Sequence, residues 1–328
     1  MNVLITGGTG FIGSRLALRC LAKGDHVRVL GRTANPAEAS NLQLIEKSGA
    51  EVVIGEITDK TILFGLTRNI HVVYHLAAAQ HEANAPDKVF HEVNVIGTEN
   101  LLEASLKAGV KRFVHGSTIG VYGTLRGVIN EESPCHPDNI YGITKLNGEK
   151  VVLSYRDKIG VVVIRISETY GPGDRRLLKL FKTIDKRVFF MIGSGENLHH
   201  LIYIDDLIDG LLLSAESKKA QGNIFILAGE KPITTNEMVH IIAEELDAGI
   251  PKIRAPLFLF LLMATVMEAI LKPLGIQPPL HRRRMDFFRK NFCLSHRKAF
   301  DFFGFVPKMS FKKGVSETAR WYREADDL

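Results

Sequence analysis

Up to about residue 166 the apolar positions fall in short unbroken runs, Val3–Thr6, Val27–Leu30, Val52–Ile54, Val72–His75, Phe113–Gly116 and Val161–Ile166, separated by amphipathic stretches of helical period. Runs that are apolar throughout suit strands buried on both faces, and strands alternating with helices suit parallel pairing through crossover connections. The pattern predicts an α/β fold built on a doubly wound parallel sheet, which binds ligands beyond the carboxyl ends of its strands. The chemistry-bearing residues below all fall at such strand ends or on the helix that follows.

Beyond Gly171-Pro172-Gly173 the pattern changes. Arg175–Lys186 reads as a basic amphipathic helix, and Leu201–Tyr203 and Asn223–Leu227 as strands expected to rejoin the sheet. From Lys231 onward helices and loops are expected, broken by Pro251, Pro256, Pro273, Pro278, Pro279 and Pro307. The expected organisation is a sheet domain over residues 1–168, rejoined by about 199–229, and a smaller, mostly helical substrate domain from about 169–198 and 230–328. Leu257–Met267 is apolar and uncharged but well short of the roughly 20 residues that cross a bilayer. A buried helix of the smaller domain is the plainer reading; an apolar wall for a lipophilic substrate, or an interfacial contact, is the sharper one.

With 328 residues, 45% hydrophobic and 24% charged, the chain is globular rather than disordered or fibrous. Cys20, Cys135 and Cys293 form no C-x-x-C pair, which argues against a disulfide framework or thiolate metal site. A strand and glycine-rich turn stand where a signal peptide would, so a cytoplasmic protein is expected. Adjacent His199 and His200 point to opposite faces of a strand, and no metal is expected. The net charge of +6 allows an anionic ligand, but basic and aromatic residues are not interleaved as on a nucleic-acid surface, so no nucleic-acid partner is expected.

The run Val3–Thr6 leads into Gly7-Gly8-Thr9-Gly10-Phe11-Ile12-Gly13 and then a helix through Ala22. Strand, glycine turn and helix in this order form a dinucleotide site of the Rossmann-like kind. Gly7 permits the tight turn, Gly10 lets backbone approach a pyrophosphate, and Gly13 lets the helix pack on the sheet, with N–H groups at the helix start, around Phe11 and Ile12, facing the phosphates. The cofactor is NAD or NADP. The second strand ends Gly31-Arg32 with no acid for the ribose hydroxyls, and Arg32 could pair with a 2′-phosphate, which favours NADP; a solvated arginine is the alternative.

Tyr141-Gly142-Ile143-Thr144-Lys145 opens a helix expected to run through Tyr155, with the phenol and the ammonium one turn apart on one face. A phenol is a poor base at neutral pH unless a nearby cation stabilises the phenolate, and Lys145 can do that. At this point the whole chain resembles the extended short-chain dehydrogenase/reductase family, of NAD-dependent epimerase/dehydratase type. The resemblance runs in order through Thr6–Gly13, His75-Leu76-Ala77-Ala78, Asn94–Thr98, Ser117–Gly123, Tyr141–Lys145, Tyr170–Gly173, Tyr203-Ile204-Asp205-Asp206 and Phe303–Pro307. It implies an oxidoreductase or epimerase that transfers hydride at a secondary alcohol or ketone carbon. Tyr141 is then general acid/base, Lys145 holds the nicotinamide ribose, and Thr118 bonds the reacting oxygen. Ala77 and Ala78 line the cofactor, Asn94 braces the site, and Glu56 and Ile57 stand at the adenine, with Glu56 where the family has Asp. A homodimer is also implied.

Departures narrow the substrate. Gly120 replaces the acid that 4,6-dehydratases carry two positions after the catalytic Thr, so elimination of water is not expected. Glu168 stands where nucleotide-sugar members often have Asn, and His199 where an Arg often binds phosphate. Arg282, Arg283 and Arg284 resemble the arginine segment that clamps a diphosphate, or form a solvated loop. Arg283, Arg284 and Glu168 are thus candidate substrate contacts. A nucleotide-sugar 4-epimerase or ketoreductase is the leading expectation. The alternative is a 3β-hydroxysteroid dehydrogenase-like enzyme acting on a sterol or other lipophilic alcohol, suggested by Leu257–Met267 and by Lys298–Trp321. A non-catalytic dinucleotide-sensing protein is the remote one, since such relatives commonly lose the Tyr or Lys.

Overall fold

The computed structural model describes residues 1–80, 85–251, 253–271, 276, 278–280 and 282–328, and of Arg283 only the backbone. Each predicted apolar run is a strand: β1 (Asn2–Thr6), β2 (His26–Gly31), β3 (Glu51–Ile54), β4 (Val72–His75), β5 (Arg112–Thr118) and β6 (Gly160–Ile166). With β7 (Ile224–Leu227) they form a seven-stranded sheet, all pairs parallel, in the order β7-β6-β5-β4-β1-β2-β3. The unbroken runs have a simple cause. Alternate side chains of one strand enter two different cores: Ile5, Val29, Val114 and Val162 on one face, Leu4, Leu30, Phe113 and Val161 on the other. The strand order reverses between β1 and β4, where Thr6 pairs with His75 at the carboxyl ends. Ligands of such sheets bind at this crevice.

Helices cover both faces. α1 (Phe11–Ala22) and α5 (Ile204–Glu216) lie on one, tied by Arg15 to Asp205 and by Arg19 to Asp209. α2 (Lys60–Thr67) and α3 (Gly97–Lys107) supply Leu63, Leu101 and Leu102 to the other core. The helix that carries Tyr141 and Lys145, α4 (Ile140–Ser154), packs on β5 and β6. The Tyr-Ile-Asp-Asp motif plays a structural part. Its buried Asp206 carboxylate accepts from the Lys308 and Met309 N–H groups and so anchors the Phe-Gly-Phe-Val-Pro segment.

Three expectations need correction. Leu201–Tyr203 does not rejoin the central sheet; it pairs in parallel with Glu168–Tyr170, just after β6, as a separate two-stranded piece. The basic helix begins later than expected, at Leu178, and runs to Asp185, because the Asp174 carboxylate accepts from the N–H groups of Arg176 and Leu177 and holds that segment as a turn. The apolar run from Leu257 is a helix through Leu271, but not a buried one. Only Ala264 and Glu268 are buried along it. Among the described residues no helix is long and apolar enough to cross a membrane.

Candidate active site

The glycine-rich turn is shaped by close approach. Gly7 has φ +69°, and a Cβ there would lie 2.7 Å from the Ala77 nitrogen. A Cβ on Gly13 would lie 2.3 Å from the Gly7 carbonyl oxygen, so the first turn of α1 sits directly on the loop. α1 begins at Phe11 with no side-chain cap and no acid in its first turn. That leaves an N-terminus suited to a pyrophosphate. Phe11 packs on Gly173, where a Cβ would lie 3.0 Å from its ring, so the Gly-Pro-Gly loop closes over the same end. The Ile57 side chain is turned into the core against Gly97, so any cofactor contact there would come from its backbone. Arg32 and Glu56 meet at the outer corner with Nη1 4.0 Å from Oε1.

A hydrogen-bonded frame joins this loop to α4. The Ala77 N–H donates to Thr6 Oγ1, at 3.3 Å, and Thr6 Oγ1 lies 2.7 Å from His75 Nδ1. Thr98 spends its hydroxyl proton on the Asn94 carbonyl, so His75 Nε2, 2.9 Å away, must be the donor to Thr98 Oγ1. That fixes the His75 tautomer: Nδ1 accepts from Thr6. Burial, with Lys145 nearby, pulls the His75 pKa down to about 3, so the ring is neutral. The Asn94 carboxamide continues the frame. Its oxygen accepts from the Ala79 N–H at 2.8 Å; its NH2 donates to the Ala79 carbonyl and to Thr144 Oγ1 at 3.1 and 3.0 Å. Asn94 lies in a π-helical turn, Glu92–Ile96, an uncommon local geometry often found at functional sites.

Tyr141 and Lys145 sit on the first turns of α4, which Asn139 caps by accepting from the Gly142 N–H. Gly142 sets how closely α4 approaches β5: a Cβ there would lie 2.7 Å from the Gly120 carbonyl. The turn after Thr118 is thereby brought against the residue next to Tyr141. Thr118 caps that turn, its Oγ1 accepting from the Gly120 N–H at 3.0 Å. The hydroxyl proton is not used in that bond and can serve a substrate oxygen. Lys145 is buried, its Nζ 3.4 Å from His115 Nε2. Burial lowers its pKa to about 8, against an opposing pull from Glu149 one turn on. His115 is held neutral, far below the usual histidine range, by burial and by Lys145.

Sequence reasoning missed the scaffold behind these groups. Glu149 and Arg165 form a buried pair, with Arg165 Nη2 2.8 Å from Oε2 and Nε 3.1 Å from Oε1. Ser117 donates to the same carboxylate, and Arg165 donates to Tyr122 Oη at 2.7 Å. The signal was present, since Glu149 follows Lys145 by one helical turn and Arg165 lies at the end of β6. Lys290 is a second missed residue. It bonds Asp138 at 2.6 Å and Asp286 at 3.3 Å, and so ties the segment after Arg282–Met285 to the entry of α4.

The two departures from the family pattern meet each other. Glu168 Oε2 lies 2.9 Å from His199 Nδ1, and Arg176 Nη1 is 3.3 Å from Oε1. Burial alone would raise the Glu168 pKa; His199 and then Arg176 reverse this and bring it to about 2. The far side of the His199 ring meets Asn197 and Thr235, and its face lies 4.6 Å from the Phe287 ring. Arg282 pairs with Glu268 and Arg284 donates to the Pro279 carbonyl, so neither guanidinium is gathered with Glu168. The Arg283 side chain lies outside the described residues. No group of three or more potential metal ligands occurs among the described residues, and His200 is engaged by the Gly229 carbonyl and the Leu294 N–H.

A glycine cradle at the switch point of a doubly wound sheet, with a Tyr and Lys one turn apart on the helix after β5, defines a dinucleotide-dependent oxidoreductase. The chain belongs to the NAD dependent epimerase/dehydratase family, whose profile matches residues 3–228. It is therefore an enzyme of the short-chain dehydrogenase/reductase type. A dTDP-glucose 4,6-dehydratase of Actinoplanes sp. is 28% identical, over 98% of both chains. A 3beta-hydroxysteroid-dehydrogenase/decarboxylase of Arabidopsis thaliana is 26% identical, over 96% of this chain and 78% of that protein. The crystal structure of a UDP-glucuronic acid 4-epimerase from Bacillus cereus, in complex with UDP-glucuronic acid and NAD, superposes with a TM-score of 0.82 at 24% identity, over 99% of this chain and all of the other.

Proposed function

We propose that the chain catalyses hydride transfer at a secondary alcohol or ketone carbon, with Tyr141, Lys145 and Thr118 as its reacting set. The observation that carries this is the α4–β5 junction, where Gly142 lets the Tyr141 turn pack on the Thr118 turn beside a glycine cradle. Gly7, Gly10 and Gly13 would hold the pyrophosphate of the nicotinamide cofactor, which supplies the hydride acceptor or donor when bound. Glu56 part-neutralises Arg32 in the corner where a 2′-phosphate would sit. That weakens the case for NADP, and this reading takes NAD. Tyr141 moves the hydroxyl proton of the substrate. Lys145 bears a positive charge that lowers the cost of the phenolate, and Thr118 donates to the same substrate oxygen. Asn94 and His75 act through the frame that fixes Ala77–Ala79 against α4. Gly120 offers no acid for elimination of water, so oxidation and reduction, or epimerisation, are the reactions this site suits.

For the substrate, the Glu168–His199 pair favours an alcohol without a diphosphate at this position. A carboxylate held ionised repels phosphate, where an amide would bond it. Residues 169–198 and 230–328 are taken as the part that covers the substrate, with a lipophilic secondary alcohol as the leading class. The nucleotide-sugar reading is supported by the dTDP-glucose 4,6-dehydratase and UDP-glucuronic acid 4-epimerase likenesses and by one structural feature: the segment carrying Arg282–Arg284 continues through Phe287, packed on His199, to Lys290 at the α4 entry. Oxidation assays with NAD against hydroxysteroids, long-chain secondary alcohols, and UDP- and dTDP-sugars test both readings. Turnover of a lipophilic alcohol, lost in Tyr141→Phe, is the expected result. Turnover confined to nucleotide sugars would overturn the substrate assignment, and undiminished turnover by Tyr141→Phe the mechanism.

A further inference from the structure

Helix α6 (Leu257–Leu271) carries one acid and no base among its 15 residues, and that acid, Glu268, is buried against Arg282. Its solvent-facing stripe is Phe258, Leu259, Leu262, Met263, Thr265, Val266, Ala269 and Ile270. The six large apolar side chains of that stripe are between 43% and 66% exposed. The patch extends past the helix: the Phe190 ring meets that of Phe260 at a tilt, with centres 5.8 Å apart, and the Met191 N–H next to it bonds the carbonyl of Ile253, itself 71% exposed. A contiguous apolar surface of this kind marks an interaction site. Its borders are basic. Lys186 and Arg187 are exposed beside Val188 at one end, with Arg254 next to Ile253, and Arg282 and Arg284 flank the other end; exposed Asp185 adjoins Lys186, and exposed Glu196 is linked to Arg254 through Asn236, but neither acid lies on the stripe.

We propose that α6 docks the enzyme on the surface of an anionic lipid bilayer, lying in the plane of the interface. At 1.5 Å per residue the helix is roughly 22 Å long, too short to cross the ~30 Å hydrocarbon core. Apolar side chains facing out, with Lys and Arg at the edges, match acyl chains below and anionic headgroups around them. The charge pattern selects this occupant over a second copy of the chain. A two-fold interface sets each surface against itself, so the basic borders would meet basic borders with no acid on the stripe to answer them.

The proposal does not depend on the substrate assigned above, and its test reads binding rather than turnover. The purified full chain is sedimented with vesicles of phosphatidylcholine alone and of phosphatidylcholine with phosphatidylglycerol, at low and high salt. Binding to the anionic vesicles that weakens with salt is expected. Leu262→Glu/Val266→Glu should weaken it by roughly tenfold or more, with the circular dichroism and melting transition kept. Should that variant not fold, Leu262→Trp serves instead, its added emission shifting to the blue on anionic vesicles only. Absence of wild-type binding, binding untouched by the double substitution, an unshifted emission, or a wild-type dimer that Leu262→Glu/Val266→Glu dissociates would each overturn the proposal.

Discussion

Lys145→Met in the cofactor-free protein should raise stability at neutral pH while abolishing activity. Lys145 is 1% exposed, and its folded pKa of about 8 lies below the ordinary value of 10.5. Between those two values the unfolded chain holds more protons than the folded one, so the wild-type protein becomes more stable as pH rises through that window. The penalty for keeping the ammonium buried is then about 3 kcal/mol at pH 7, about 2 at pH 9, and under about 0.5 at pH 10.5. Methionine removes the charge at similar volume but leaves His115 Nε2 without its neighbour, which costs about 1 kcal/mol. The net expectation is a variant more stable by about 2 kcal/mol at pH 7, with the advantage gone near pH 10. Urea unfolding of both proteins across that range measures it. A difference of equal size at pH 7 and pH 10 would refute the argument, because it would show that Lys145 does not change charge in the window its burial implies. Such a trade is the one expected if Lys145 is held at a cost in stability for its proposed part in the reaction.

Arg165→Met leaves the Glu149 carboxylate buried without its partner and should cost about 3–5 kcal/mol in chemical unfolding, part of it recovered by adding Glu149→Gln. Equal destabilisation by the single and double variants would count against the pair as the cause. Gly13→Ala places a Cβ 2.3 Å from the Gly7 carbonyl oxygen. NAD affinity by calorimetry should fall at least about tenfold, and unchanged affinity would show that the loop is not the phosphate cradle. Glu168→Asn/His199→Arg should raise affinity for UDP in equilibrium binding by roughly tenfold, by replacing a repelling carboxylate with groups that bond phosphate. No gain would mean that this position does not face a diphosphate path.

Much of the fold was legible because the central strands are buried on both faces, so that Val3–Thr6 or Val161–Ile166 could not be anything but interior strands. Leu201–Tyr203 has the same composition and went elsewhere, because composition reports burial and not the partner strand. α6 shows the opposite error: a helix apolar all round reads as buried, and nothing within those 15 residues records whether a neighbour covers them. At the site, glycines were readable since each answers a local demand, such as positive φ at Gly7 or close approach at Gly13. His75 was visible only as part of a motif. Its role, passing hydrogen bonds from Thr6 to Thr98 and so to Asn94, depends on strands far apart in sequence meeting at the switch point. The Glu149–Arg165 pair is local by comparison, 16 residues apart on α4 and the next strand, and its spacing could have been read.

Glu168 and His199 make the strongest case for reading departures together. Taken singly along the sequence, each removes a polar group suited to phosphate, and each would leave a titratable side chain half or fully buried. Burying either alone is costly, since an unpaired carboxylate out of water is driven toward its protonated form. In the folded chain they lie 2.9 Å apart, with Arg176 on the other carboxylate oxygen and Thr235 and Asn197 on the other imidazole nitrogen. Every polar atom of the exchange is therefore answered by another protein group rather than left facing a ligand. A pair that satisfies itself has no need of a diphosphate, and under the proposed function a substrate reaching it would meet a closed network instead of open donors. That the same chain exposes an apolar helix in the region expected to cover the substrate gives the closed network a chemical sense. On the proposed reading both features favour hydrocarbon over phosphate, while Thr118, Tyr141 and Lys145 are all kept.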